Sequence, residues 1–149
     1  MDLNYFRHLS EPETELLLAA PAIITVLISG ADHDQDEDEH EWAEKLVKYR
    51  TFTSEPQLHD YYEAAAERFS SELEDLVGGW SSERQEELQA ELAEARPILD
   101  KLDPEFAKLL KQSWRSLAKK VAEAKGGVLG FGKISAEEAK LIDLPMLDA

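Results

Sequence analysis

The chain contains no cysteine in its 149 residues. Disulfides, zinc–thiolate sites, iron–sulfur clusters and cysteine nucleophiles are thereby excluded. Strand-like alternation of apolar and polar residues is also missing, which argues against a sheet. Basic residues are few: 16 Lys and Arg stand against 32 Asp and Glu, for a formal net charge of −16. Phosphate backbones and anionic lipid surfaces are repelled by such a chain, so nucleic acid is not an expected partner. Cations or a protein with a basic surface are the expected electrostatic partners. Glycine is scarce, and four of the seven glycines fall in one loop, at Gly126, Gly127, Gly130 and Gly132.

Long apolar runs are nearly absent too. The most apolar stretch, Leu16 to Ile28, is short for a membrane span and carries Pro21 and Thr25. It reads as a buried central helix, with no membrane insertion. Met1 to Ser10 lacks the basic region and apolar run of a secretory leader, so the chain reads as cytoplasmic.

What is present is helical periodicity, in an apolar fraction of 43% that suffices for a core. Ser10 and Glu13 have capping-box spacing, with Pro12 in the first turn. The helix that follows is apolar on nearly every side, and Pro21 is expected to kink it or to mark its start. A second helix is expected from Asp36, with Glu39 completing a capping box and with Trp42, Leu46 and Tyr49 as its inward stripe. Glu41 with Lys45 and Glu44 with Lys48 have ion-pair spacing on its outer side.

A third helix begins around Pro56, with a buried face through Leu58, Tyr62, Ala65, Phe69, Leu73 and Leu76, and stops at Gly78 and Gly79. Ser82 opens a fourth, striped by Leu88, Leu92, Ala95, Leu99 and Leu102 and interrupted at Pro97. A fifth starts at Pro104, with Phe106, Leu110, Trp114, Leu117 and Val121 inward. A short last helix is capped by Ser135 and Glu138. The fold class is therefore all-α: one domain, residues 1–149, of about five main helices and one or two short ones.

Two stretches share an arrangement in which an apolar helix ends at a small residue, a loop follows, and a capping box opens the next helix. The first holds Ala31, Asp32, Asp36 and Glu39. The second holds Val121, Ala122, Glu123, Ala124, Ile134, Ser135 and Glu138. This resembles TerB-like helical domains over about a third of the chain. The family usually has glycine after the loop aspartate and an apolar residue before the cap, where this chain has His33 and Gln35. The resemblance implies a compact helical bundle, an acidic surface and a role in stress or metal-ion response, and it does not imply an enzyme.

Two loops carry the functional expectations. From Asp32 to Glu41 the chain is crowded with carboxylates, whose mutual repulsion a divalent cation would relieve. It is not an EF-hand: Glu37 stands where the turn needs glycine and Ala43 where a bidentate glutamate is needed. Asp36, His40 and Glu44 lie four residues apart on one helical face, and with Asp32 and Asp34 they form a candidate metal set. The same acids also suit a helix N-terminus without any metal.

The glycine-rich loop lacks the preceding strand of a dinucleotide fingerprint and the lysine–serine of a P-loop. Val128, Leu129 and Phe131 within it either fold back onto the bundle or present a partner-binding knob. His59 beside Asp60 is a poor catalytic pair, because adjacent helical residues diverge by about 100°. The expectation is a noncatalytic, TerB-like module that binds a protein partner or cations through its acidic loop and requires no cofactor. A metal-dependent enzyme centred on Asp36, His40 and Glu44, and a purely structural interaction module, are the alternatives.

Overall fold

The computed structural model describes residues 4–31, 37–123 and 136–148. The α-helices are α1 (Glu11–Ser29), α2 (Glu37–Thr53), α3 (His59–Gly78), α4 (Ser82–Ala93), α5 (Ala95–Leu99), α6 (Pro104–Glu123) and α7 (Ala136–Leu141). Among the described residues there is no strand. The chain is an all-α bundle, and among the described residues nearly all the buried apolar side chains belong to one cluster.

α1 is the axis of the bundle, and every other α-helix packs against it. Its residues from Leu17 to Ser29 are buried, apart from the partly buried Ala19. The helix begins five residues before the apolar stretch, so its 19 residues do meet the length and composition of a membrane span. In the bundle, 67% of its most apolar window is buried inside the protein. Each large aliphatic side chain so buried contributes about 1.5–3 kcal/mol.

The capping box of α1 is formed. Ser10 Oγ accepts from the Glu13 amide, and Glu13 Oε1 accepts from the Ser10 amide at 2.8 Å. Glu13 also receives a hydrogen bond from Lys101 at 2.5 Å. That bond, followed by the Ser10 amide, holds the Glu13 carboxyl below its ordinary value of 4.5. A depressed folded-state pKa means that the stabilisation is present above the ordinary value and lost as pH falls through the depressed one. Glu13→Gln is therefore expected to lower the melting temperature at about pH 7, and the gap to wild type should close as the pH is taken down through and below the ordinary carboxylate range. Thermal melts of the two proteins across that range check it, and a gap that persists in acid would refute the assignment.

Pro21 lies inside α1 and does not mark its start, which was one of the two expectations for it. Proline removes the amide that would bond the carbonyl of Leu17, four residues earlier. That carbonyl instead accepts from the Tyr61 hydroxyl of α3 at 2.5 Å. Tyr61 in turn accepts from Trp114 Nε1 of α6 at 3.0 Å. A side chain on a neighbouring helix thus replaces the donor that the proline lacks. The C-terminal end of α1 is treated alike: Gln85 of α4 donates to the Leu27 carbonyl at 2.9 Å and accepts from Trp80 Nε1 at 3.0 Å. Around Pro97 the chain leaves α4 after Ala93 and resumes as α5.

α3 and α6 bury the stripes their spacing predicts, save that Leu76 is only partly buried. α2 does not. Its buried residues are Glu39, His40, Ala43, Val47 and Arg50, whereas Trp42 is 46% and Tyr49 62% exposed, and Leu46 is partly buried. The inward face is rotated by one residue from the more apolar stripe. The physical reason is Arg50, whose guanidinium finds acceptors on α3 and α6 that no residue of the outer stripe reaches.

Candidate functional site

The side chains of Asp32, Asp34 and Asp36 lie outside the described residues, as do Val128, Leu129, Phe131 and Ser135. Glu138 is on α7, with its side chain likewise outside. Of the candidate metal set, His40 is buried on the inner side of α2. Glu44 is half-buried and pairs with Lys48 at 3.2 Å, as its spacing predicts. The cap partner Glu39 is buried. Among the described residues no group of three histidine, aspartate or glutamate side chains is arranged to hold a metal ion. His59 lies within hydrogen-bond distance of the Ser54 carbonyl, at 2.9 Å from Nε2, and is half-buried.

Two features of α2 stand out. The first is its outer face. Trp42, Tyr49 and the 79% exposed Phe52 project to solvent, with Leu46 between them, and Trp42, Lys45, Leu46 and Tyr49 frame a shallow depression of about 240 Å³. The three aromatic side chains expose roughly 350 Å² of apolar surface, within the range of the largest patch on an ordinary monomer and commonly a functional one. Glu41, Glu44, Lys45 and Lys48 flank this face with balanced charge, in a chain that is otherwise strongly acidic.

The second is Arg50. It is 93% buried, being 7% exposed. Its Nη1 donates to the Tyr62 hydroxyl at 3.0 Å, to the Ser113 carbonyl at 2.7 Å and to Ser113 Oγ at 3.0 Å. Its Nη2 donates to Ser116 Oγ at 3.0 Å. The guanidinium also lies 5.5 Å from the centre of the Tyr62 ring. The Tyr62 hydroxyl and Ser113 Oγ are hydrogen-bonded to each other. These contacts join α2 to α3 and α6.

Arg50 differs from three other arginines, Arg68, Arg84 and Arg115, which are paired with carboxylates. Arg68 meets Glu15 and Glu72, Arg84 meets Glu87 and Glu91, and Arg115 meets Asp148. Among the described residues no carboxylate lies in ion-pair range of Arg50. It sits in the wall of a cleft of about 430 Å³ between α2, the Pro56–Leu58 turn and α6. Sequence reasoning missed this residue because an arginine in an acidic chain reads as an outward charge. The available signal was Ala43 and Val47 at a spacing of four on its own helix, with Ser113 and Ser116 opposite on α6.

Elsewhere, Arg68 holds the Glu15 carboxyl below its ordinary range, while desolvation, outweighing Arg68, lifts that of Glu72. This cluster joins α1 to α3 at the surface. Comparison with protein-family models, with curated proteins and with solved structures finds no match to this chain.

Proposed function

We propose that the chain is a noncatalytic protein-interaction module, TerB-like in kind, which docks a protein partner on the outer face of α2. The observation that carries this reading is the exposure of Trp42, Tyr49 and Phe52 side by side on one helix. Aromatic side chains are enriched in interface cores because they bring large contact area with little conformational entropy to lose. The partner that fits is an apolar helix face with basic flanks. The net charge of −16 draws such a partner in and repels a second copy of this chain.

The test uses an amphipathic helical peptide of leucine and lysine as the probe, against one of leucine and glutamate. Tryptophan fluorescence is expected to show saturable binding of the basic peptide alone. The triple variant Trp42→Ala, Tyr49→Ala, Phe52→Ala should bind it at least about tenfold more weakly, a loss of about 1.4 kcal/mol, with an unchanged melting temperature. For the variant, which lacks Trp42, binding is followed by calorimetry. Equal affinity of variant and wild type would show charge attraction only and overturn the reading, as would concentration-dependent dimerisation of the chain through the same residues.

A further inference from the structure

The cleft beside Arg50 shares Leu46 and Tyr49 with the outer face of α2, but its polar chemistry is its own. A buried guanidinium without a neutralising carboxylate is costly, and four hydrogen bonds to neutral oxygens offset only part of the loss of water. Those bonds use Nη1 and one hydrogen of Nη2. Among the described residues, Nε and the second Nη2 hydrogen have no acceptor. Ser116 Oγ accepts from Arg50, which leaves its own O–H to donate. Leu46, Tyr49, Leu58 and Leu109 provide the apolar part of the cleft, and the exposed Glu55 and Lys120 also line it with opposite charges. The positive charge of Arg50 is thus what remains inside, in a protein whose net charge is strongly negative.

We propose that this cleft binds a small-molecule oxyanion on an apolar stem, a carboxylate or a phosphate monoester, with the Arg50 guanidinium and the Ser116 hydroxyl as donors. The guanidinium fork matches the geometry of either group. Lys120 assists from the side of α6, and the leucines and Tyr49 take the stem.

The experiment is a titration of the full, isotopically labelled chain with benzoate, phenyl phosphate and phenol at constant ionic strength, read by amide chemical shifts. Benzoate, phenyl phosphate or both should give saturable shifts around residues 50, 113, 116 and 120, with a dissociation constant of about 1 mM or tighter. Whichever anion binds more tightly identifies the preferred group. Phenol should give none. Arg50→Met should weaken binding at least about tenfold, and Ser116→Ala and Lys120→Gln each about threefold. The latter two substitutions trim partly or fully exposed side chains and keep the test valid should Arg50→Met fail to fold. An Arg50 that merely clasps three helices together predicts no saturable shift with either anion. That result, or phenol binding as well as benzoate, or variants that bind like wild type, would overturn the proposal.

Discussion

Tyr61→Phe is expected to destabilise the domain by about 3 kcal/mol, far more than the loss of one oxygen from a surface tyrosine. The hydroxyl serves two buried groups at once. It donates to the Leu17 carbonyl and accepts from Trp114 Nε1. Phenylalanine fills the same space and leaves both unpaired, at about 1–3 kcal/mol each. Leu17 depends on Tyr61 because Pro21 has no amide to offer.

That dependence makes the explanation testable in a second way. Pro21→Ala restores an amide four residues after Leu17, in a helix that already continues past the position. Tyr61→Phe should therefore cost less by about 1 kcal/mol or more in the Pro21→Ala background than in the wild type. Urea denaturation of the four proteins of the cycle measures the coupling. Additive effects would mean that the tyrosine hydroxyl is not the substitute donor.

The second large effect contrasts two tryptophans. Trp114→Ala is expected to cost about 4 kcal/mol, and Trp42→Ala less than about 0.5 kcal/mol. Trp114 is fully buried in the middle of α6, so its removal opens a cavity and strips a partner from Tyr61. Trp42 has nearly half its surface in water. Truncating it removes little that folding gains. Chemical denaturation of the two variants checks both values, and a comparable loss from both would place Trp42 in the core after all.

This contrast also marks where sequence and structure part. α3 and α6 were legible because their inward positions carry the large apolar residues and their outward positions carry charge, so hydropathy and geometry agree. Leu88, Leu92, Leu99 and Leu102 were legible for the same reason. In α2 the two disagree. Its most apolar stripe faces outward, and its inner face includes Glu39, His40 and Arg50. Hydropathy cannot find a buried arginine whose acceptors lie 12, 63 and 66 residues away.

The same limit applies to Pro21. Its effect on α1 depends on a hydroxyl 44 residues from Leu17, which local rules of helix termination do not weigh. The Ser10–Glu13 cap was legible because all its parts lie within one turn. The acidic loop was conspicuous in composition. Of the candidate metal set built around it, the structure describes His40 and Glu44, which it places on the inner side of α2 and in an ion pair with Lys48.

The central position of α1 has a consequence for synthesis. Within this bundle α1 is synthesised before the side chains that serve it: Tyr61, Gln85 and Trp114 follow it by tens of residues. At about 5–20 residues per second, α1 waits some 5–20 s before α6 is complete. Until α2 and α3 have been made it is an apolar helix of 19 residues with no partner from this bundle to lie against, and by length and composition it resembles a membrane span. Its hydrophobicity, which organises the finished bundle, is thus the feature that most exposes the nascent chain to mistaken targeting.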